Sequence, residues 1–453
     1  MKIKNIYILS ICLLAMWSCD DRLNIEPAQS LPVDVAVGNE ANIKAILVGA
    51  YAESGEDDTY GGQIQVMTDL LGATDQVSWQ GTFVQPRQYF TKGILVDNLW
   101  TEQMWRNHYE TINQVNLVID NLSIISDAAE ATRVEGEARF LRALSYFDLV
   151  RHFGLSWVAG GTNDTPERGV PLRLEGILDY TTADLSIARS TVADVYTQVI
   201  TDLTAAMGML PADNGDFADS FAAEALLARV YLQQGNYPGA RDAAHNVITN
   251  SGHAMAASFA AAFNNETDGS EDVFTFKVTN QTGENDLTNY YAHESLGGRG
   301  GDIAVAAGYA ARFDDAANDE RASFTYVSDQ NGLDLTSKYV NEFANIPMIR
   351  LAEMHLIRAE ANFREGTSIG EAPLADINNN IRARLSAAPL AGPITLAMIL
   401  NERQLELAFE GFLVHDMKRT GTAVGTIAAD DLSLVSPIPQ DELDTNPLIQ
   451  PTH

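Results

Sequence analysis

The stretch that decides the fold is Asn401-Glu-Arg-Gln-Leu-Glu-Leu-Ala-Phe-Glu-Gly-Phe-Leu-Val-His-Asp-Met-Lys-Arg419. Its apolar side chains recur at intervals of three and four residues, which places them on one face of a helix. These side chains are Leu405, Ala408, Phe409 and Phe412. Glu402, Glu406 and Glu410 recur every four residues and form an acidic stripe beside the apolar face, which stops near Gly411. The spacing predicts one helix over residues 395–418.

Other segments of the chain contain motifs of the same kind. They are Glu135-Gly-Glu-Ala-Arg-Phe-Leu-Arg-Ala-Leu-Ser-Tyr-Phe-Asp-Leu-Val-Arg-His-Phe-Gly154, Arg189-Ser-Thr-Val192 with the following Val195-Tyr196, Asp202-Leu203 and Leu210-Pro211, Arg350-Leu-Ala-Glu-Met-His-Leu-Ile-Arg-Ala-Glu-Ala361, and Ser436-Pro-Ile-Pro-Gln440. Together with 401–419 they resemble the signature of the SusD/RagB lipoproteins, which capture nutrients at the surface of Bacteroidetes-type bacteria. Within 401–419, Gln404 and Met417 replace the Arg and Leu that are usual in that family.

The resemblance covers the mature chain in order, and it implies a fold. SusD-like proteins are mainly α: a scaffold of tetratricopeptide-like helical hairpins supports long irregular loops and a few short strands. One pair in this chain fits such a hairpin, because small residues at Ala228 and Ala240 would let two helices approach closely and Gly235 suits the turn between them. Ordinary helical hairpins would give nearly the same structure.

The N-terminus is typical of a secretory signal. Lys2 and Lys4 precede an apolar run from Ile6 to Trp17, which at about a dozen residues is too short to span a bilayer comfortably. A small residue followed by Cys19 then favours cleavage as a lipoprotein, so we expect residues 1–18 to be removed and Cys19 to be acylated. An ordinary signal peptide with an incidental cysteine is the alternative.

The mature chain would keep one cysteine, because Cys12 leaves with the signal peptide. A folded chain without disulfides relies on its core, and two or more acyl chains give stable membrane anchoring. Asp20 and Asp21 resemble the acidic signal that sends such lipoproteins to the outer face of the outer membrane. We therefore expect a lipid-anchored protein that faces the cell exterior.

The formal net charge of −32 excludes one class of partner. So acidic a surface repels phosphate backbones, which argues against nucleic-acid binding. It also disfavours strongly anionic polysaccharides. A strongly acidic surface is itself typical of a protein whose charge serves solubility rather than a specific interaction.

The sequence contains no linker or low-complexity tract, so we expect one SusD-like body over 19–453. Within it, we assign 19–215 to an N-terminal part, 216–270 to a tetratricopeptide-like hairpin and loop, and 271–453 to a C-terminal part. The patterns predict helices at 38–54, 98–124, 129–152, 191–209, 220–234, 238–250, 348–365, 372–387 and 395–418. Strand-like fragments appear at 273–278 and 324–327, and the remaining segments 55–97, 153–190 and 252–345 are expected to be irregular.

Signatures of catalysis are missing from the sequence, and we predict no catalytic residue, metal site or cofactor. It has no HExxH, GxSxG or P-loop motif, and Gly297–Gly301 lacks the spacing of a dinucleotide-binding loop and is interpreted as a mobile loop. The acidic stripe is not a glycosidase pair, because its carboxylates point the same way from one helix. We expect the stripe to form structural ion pairs, with partners at Arg350, Arg358, Arg403 and Arg419. Asp319-Glu320-Arg321 resembles an ion-paired turn of the family.

Candidate binding residues are aromatic side chains in polar segments, because sugars pack their C–H faces on rings and need polar partners for their hydroxyls. One segment, 75–89, supplies Asp75, Trp79, Phe83 and Tyr89. The segment 285–293 supplies Tyr290, Tyr291 and His293. Any one of these side chains could instead anchor its loop to the scaffold.

Three functions remain open. By resemblance, the first is a non-enzymatic glycan-binding lipoprotein that delivers oligosaccharide to a SusC-like TonB-dependent transporter. The second is a peptide-capturing lipoprotein like the RagB branch. The third is a secreted glycan-degrading enzyme with an unrecognised acid pair.

Overall fold

The computed structural model describes residues 36–278 and 285–452. The signal peptide and Cys19 lie outside these residues. The α-helices of the described chain are α1 (Glu40–Gly55), α2 (Gln63–Gly72), α3 (Val84–Thr91), α4 (Leu99–Asp120), α5 (Ala128–Phe153), α6 (Val192–Met209), α7 (Ser220–Gln234), α8 (Tyr237–Asn250), α9 (Asp286–Tyr291), α10 (Ala307–Ala310), α11 (Leu351–Glu365), α12 (Pro373–Asp376), α13 (Leu396–Glu406), α14 (Leu413–Thr420) and α15 (Gln440–Thr445).

Short strands pair two by two and antiparallel. They are β1 (Val77–Trp79) with β3 (Ile303–Val305), β2 (Asp272–Phe276) with β6 (Ile346–Arg350), and β4 (Thr325–Val327) with β5 (Asp334–Thr336). The β1–β3 and β2–β6 pairs bring together distant segments of the chain, whereas β4 and β5 are neighbours in sequence.

The scaffold is a series of helices in which each packs on the next. α4 packs on α5, α5 on α6, α6 on α7, α7 on α8, α8 on α11, and α11 on α13. The predicted hairpin is present as α7 and α8: Ala228 and Ala240 are fully buried, and Gly235 ends α7 in the left-handed conformation at φ 74°. The prediction of a mainly α, SusD-like fold is confirmed.

The predicted helix over 395–418 is wrong in its middle. α13 ends at Glu406 and α14 begins at Leu413, because Phe409 and Gly411 take positive φ values of 68° and 79°. The break frees main-chain carbonyls, and Lys338 uses its ammonium group to donate to the Glu406 carbonyl at 3.0 Å. An element from elsewhere in the chain therefore stabilises the interruption.

Other boundaries also differ from the prediction. The segment expected to start a helix at residue 348 is the strand β6, since it pairs with β2 before α11 begins at Leu351. The segment 372–387 becomes the short helix α12, a π-helix at Ile377–Arg382 and a 3-10 turn at Ala383–Leu385. The segment 55–97, expected to be irregular, contains α2 and α3. Helix α2 is buried along its whole length, so it has no exposed polar face by which a helical pattern could be recognised.

The acidic stripe lies inside the protein and forms ion pairs, as predicted. Glu406 contacts Arg350 at 3.2 Å and Arg384 at 2.5 Å, and all three side chains are buried. Glu402 pairs with Arg321 at 2.6 Å. Burial alone would raise the pKa of Glu406, but Arg384, Arg350 and Arg321 hold it at about 2. The stripe is a structural core of charges and not a catalytic pair in a cleft.

The predicted partners of the stripe are correct only for Arg350. Arg358 pairs instead with Asp376 at 2.7 Å. Arg403 and Arg419 both pair with Asp416, the first at 2.8 Å and the second at 2.7 Å. The stripe takes its other cations from the segments around residues 321, 338 and 382–384, whose approach depends on the tertiary fold. The predicted turn at Asp319-Glu320-Arg321 is ion-paired, with 2.7 Å between Asp319 and Arg321.

Candidate functional site

The predicted segment 75–89 pairs with residues beyond the second predicted segment, 285–293, because β1 pairs with β3. Tyr290 of the second segment reaches the same region through Arg299. The register sets Trp79 opposite Ile303. The pairing continues past the strand end, where the Gln80 N–H donates to the Asp302 carbonyl at 2.7 Å. We call the region where 75–89 and 290–302 lie side by side the paired-loop surface.

An exposed aromatic ring and a guanidinium form the centre of this surface. The guanidinium carbon of Arg299 lies 3.8 Å from the ring centroid of Phe83 and 6.0 Å from that of Tyr290. Phe83 precedes the first turn of α3 and is 41% exposed. The cation–π contact holds the ring in place. A ring held in this way can pack against the C–H face of a sugar while the guanidinium donates to hydroxyls.

Two polar atoms of the paired-loop surface are buried from solvent and have no hydrogen-bond partner among the described residues. They are Nε1 of Trp79, a donor, and Oδ2 of Asp302, an acceptor. Oδ2 lies 3.7 Å from Nη2 of Arg299, which is too long for a hydrogen bond. Burial raises the pKa of Asp302, and the charge of Arg299 opposes this shift.

Gly81 brings these two side chains together. A Cβ atom at residue 81 would lie 2.4 Å from Cζ2 of Trp79 and 2.7 Å from Cγ of Asp302, so a larger residue would push the indole and the carboxylate away. A hydroxyl group could accept from the indole N–H and donate to the carboxylate, but both atoms are buried, so a ligand reaches them only after the side chains around Gly81 move.

The expectation of exposed aromatic rings is wrong for two of the predicted residues. Tyr89 and Tyr291 are fully buried. The Tyr89 hydroxyl lies 2.8 Å from that of Thr101, and the Tyr291 hydroxyl donates to Asp69 at 3.3 Å. Both rings belong to helices whose inner faces join the core, so neither offers a surface to a ligand in this conformation.

Three further predicted residues are almost buried. Trp79, Tyr290 and His293 are 9%, 5% and 8% exposed. Tyr290 meets Trp100 edge to face, with 5.2 Å between the ring centroids. Nε2 of His293 lies 2.9 Å from Asp329. These side chains support the paired-loop surface from below, and Trp79 is not the open platform that its polar neighbours suggested.

Asp75 is exposed, as expected for a binding residue, but it lies at the other end of β1 from Phe83. Its carbonyl accepts from the Gly308 N–H at 2.8 Å, and its carboxylate is 3.9 Å from Arg312. Of the predicted binding residues, Asp75 and Phe83 are therefore the ones with exposed side chains.

Models of known families match most of the chain. One, described as starch-binding and associating with the outer membrane, matches residues 21–232. The other, the SusD family model, matches residues 289–431. The chain belongs to the SusD/RagB family.

Similar proteins agree with this membership. The chain is 26% identical to SusD-like protein P2 of Formosa agariphila over 90% of its own length and 89% of that protein, and 22% identical to SusD-like protein P25 of the same organism over 99% and 98%. A SusD superfamily protein from Bacteroides thetaiotaomicron superposes with a TM-score of 0.79 at 26% identity, covering 91% of this chain and 99% of that one. A laminarin-binding SusD-like protein superposes with a TM-score of 0.75 at 23% identity, over 91% and 99%.

The SusD/RagB sequence signature does not include the residues that complete the paired-loop surface. Arg299 and Asp302 were not predicted. Arg299 lies within the glycine-rich run Gly297–Gly301, which the sequence analysis interpreted as a mobile loop, and Asp302 follows directly. The structure gives this run defined contacts, since the Gly298 and Gly301 N–H groups donate to the carbonyls of His293 and Ala292. In the sequence, the feature that could have indicated a binding residue here is an arginine with two glycines on each side.

Two properties of this SusD/RagB protein bear on its site and its location. Among residues 36–278 and 285–452, no group of three His, Cys, Asp or Glu side chains is arranged to hold a metal ion. Within the same residues, no helix combines the length and apolar character needed to cross a bilayer.

Proposed function

We propose that this chain is a glycan-binding lipoprotein of the cell surface that captures oligosaccharide without cleaving it and delivers it to a SusC-like TonB-dependent transporter. The observation that supports capture is the composition of the paired-loop surface. Phe83 offers a partly exposed ring and Arg299 a guanidinium, while the unpaired donor of Trp79 and the unpaired acceptor of Asp302 are buried in the same region. Sugars present the complementary groups, which are C–H faces and hydroxyls.

The comparisons support a sugar as ligand. One matching family model is described as starch-binding, and one structurally similar protein is described as laminarin-binding. The transporter partner and delivery rest on the family resemblance and are part of the proposal.

Apolar side chains next to the surface support a protein partner. Val84, Leu95 and Leu99 are 56%, 56% and 46% exposed, and they lie on or near α3 and the start of α4. Clusters of exposed apolar side chains mark contact sites with proteins or membranes. We assign these three exposed side chains to the proposed transporter contact; Val84 directly follows Phe83 in sequence.

The ligand is tested by titration calorimetry. The mature protein with Cys19→Ala is titrated with laminarin and starch oligosaccharides and, separately, with a tryptic peptide mixture. We expect heat from at least one glycan and none from peptides, and unchanged oligosaccharide lengths after long incubation. Binding of peptides alone would support RagB-like capture, and shortened oligosaccharides would indicate an enzyme; either result would contradict the proposal.

Anchoring is tested separately, because a glycan-binding protein need not be lipidated. Replacing Cys19 with Ala should move the protein from the membrane fraction to the soluble fraction and abolish labelling by radioactive palmitate. A variant that stays in the membrane fraction and keeps the label would show that Cys19 is not the anchor.

A further inference from the structure

A concave feature lies between the loop that joins α6 to α7, the turn after α8, and β2. It is an open cleft whose lining shares no residue with the paired-loop surface. Its walls come from segments 212–219, 251–253 and 268–277. We call it the acidic cleft.

The cleft has a large excess of negative charge. Its carboxylates outnumber its one lysine, Lys277, five to one; they are Asp213, Asp216, Asp219, Asp268 and Asp272. Lys277 forms an ion pair with Asp268 and lies 3.7 Å from Asp216. Asp213 accepts from the main-chain N–H of Gly215 at 3.1 Å. Asp219 accepts from that of Ala222 at 2.7 Å and thereby caps α7. These main-chain contacts do not neutralise the two charges.

Asp272 is a buried carboxylate that lines the cleft, and one of its two oxygens accepts no hydrogen bond from the described residues. The residue is 6% exposed. Its Oδ2 accepts from the Gly269 N–H at 2.7 Å, and its Oδ1 is buried from solvent and has no hydrogen-bond partner among the described residues. Burial raises the pKa of Asp272 to about 6, so the group is mainly ionised at pH 7.5. A buried, ionised oxygen without a donor is unfavourable, and a cationic donor in the cleft would satisfy it.

The cation of the strand pair, Arg350, opposes the raised pKa of Asp272 by its charge, but it directs its hydrogen bonds to other carboxylates. Arg350 lies opposite Asp272 in the β2–β6 register. Its guanidinium donates instead to the carboxylates of Glu271, Glu406 and Glu410. The protein therefore keeps an arginine next to Asp272 but directs its hydrogen bonds elsewhere.

Aromatic rings complete the lining. Phe217 is partly exposed and packs on Tyr51, with 4.9 Å between the ring centroids. Phe274 also lines the cleft, but it is buried against Phe140 and Phe276. Carboxylates beside ring faces are the groups that recognise organic cations, by charge-assisted hydrogen bonds and cation–π contacts. A metal ion fits less well, since the described residues hold no arrangement of three metal-ligating side chains.

From this combination we propose that the acidic cleft is a second binding site, which takes an organic cation carrying a primary amine or a guanidinium group. The amine or guanidinium lies among the carboxylates next to Asp272, whose Oδ1 it meets when that side chain turns toward the cleft, and its alkyl stem packs against Phe217. The site is independent of glycan capture, because no lining residue is shared with the paired-loop surface.

The test titrates the full mature protein with cadaverine and with agmatine by calorimetry, and with 1,5-pentanediol as the uncharged analogue of cadaverine. We expect one site for the cations and no binding of the diol. Asp272→Asn should lower the affinity for both cations at least tenfold, because it removes the charge that the cation meets. Asp430→Asn, a charge change at an exposed residue outside the cleft, should leave the affinity unchanged.

A second variant guards against misfolding of the first. The double substitution Asp213→Asn with Asp216→Asn changes exposed side chains at the rim, so it should keep the melting temperature and weaken cation binding severalfold. Phe83→Ala should leave cation binding intact, which separates this site from the glycan site. Equal binding of cadaverine to wild type and Asp272→Asn, equal binding of the diol, or displacement of cadaverine by micromolar calcium would each overturn the proposal.

Discussion

Arg299 and Phe83 join two distant segments of the chain at one point, with the guanidinium carbon 3.8 Å from the ring centroid. Phe83 stands at the start of α3, while Arg299 lies in the glycine-rich run before β3. Their contact depends on the β1–β3 pairing, and it fixes an exposed ring that would otherwise rotate freely. The proposed binding surface is thus a product of tertiary structure rather than of one loop.

Replacing Phe83 with Ala is expected to weaken oligosaccharide binding by about tenfold, because stacking on an aromatic ring contributes about 1–2 kcal/mol. The melting temperature should change little, since Phe83 is 41% exposed. Calorimetric titration and a thermal melt measure both. Tyr180→Ala is the matched control, because Tyr180 is a 55% exposed ring outside the paired-loop surface. Equal losses in the two variants would show that Phe83 has no special role.

Asp302→Asn is expected to lower the affinity for oligosaccharide about tenfold. The substitution keeps an oxygen acceptor but removes the charge, and hydrogen bonds to charged groups are worth about 1.5–3 kcal/mol against about 1 for neutral ones. The melting temperature at neutral pH should stay the same or rise, since burial disfavours the ionised carboxyl and raises its pKa. Asp97→Asn, at an exposed position, is the control. Full affinity in Asp302→Asn would remove Asp302 from the proposed site.

Glu406→Gln is expected to lower the free energy of unfolding by about 3–5 kcal/mol, because it leaves buried arginines without their counter-charge. Arg350, Arg384 and Arg321 all lie within 3.5 Å of Glu406. Urea unfolding measures the effect, with exposed Glu175→Gln as a control that should stay within about 0.5 kcal/mol of wild type. A small effect in both variants would mean that these charges are better solvated than their burial indicates.

The regular part of the fold could be predicted because local signals and tertiary packing agree there. Helix α6 begins at Val192 after Thr191, which forms a capping box with Asp194. The apolar period of 401–419 is equally clear, yet the helix breaks inside it. Phe409 is apolar and buried, so it continues the apolar pattern across the break. The pattern therefore does not reveal that Phe409 itself takes a left-handed conformation.

The candidate site could be predicted in its segments but not in its side chains. Phe83 and Tyr89 have the same kind of polar neighbours in sequence, but Tyr89 turns inward to Thr101 and Ser436. Which face of α3 is buried depends on α4 and the C-terminal segment, which composition does not reveal. Trp79 is misleading for the same reason, and its replacement would disturb the β1–β3 pair as well as any ligand contact.

Overpacking tests the scaffold. Ala240→Leu adds a branched side chain at a fully buried position of the α7–α8 hairpin, and it should lower the free energy of unfolding by about 1–3 kcal/mol. Ala129→Leu makes the same change at an exposed position of α5 and should stay within about 0.5 kcal/mol of wild type. Equal stability of the two variants would contradict close packing of α7 on α8.

Buried histidines predict loss of stability in acid. Burial lowers the pKa of His108 to about 4 and that of His152 to about 3, so both stay neutral in the folded protein where the unfolded chain would bind a proton. Protonation of these histidines in the unfolded chain costs no stability above a pH of about 6.5, the ordinary pKa of histidine. The free energy of unfolding then decreases as the pH falls from there toward 4. Asp69 has the opposite effect on the pH dependence of stability. Burial raises its pKa to about 7, so the folded protein binds a proton that the unfolded chain would release.

The comparison that isolates the histidine effect is therefore wild type against His108→Gln, with Asp69 present in both. Urea unfolding between pH 8 and pH 5 should show a steeper loss of stability below pH 6.5 in wild type than in the variant, because glutamine cannot take up the proton. The variant should also release fewer protons on refolding at pH 5.5, which potentiometric titration measures. Identical pH profiles would show that His108 is already protonated, or solvated, in the folded protein. That result would place water or a counter-charge beside its Nε2, which has no hydrogen-bond partner among the described residues.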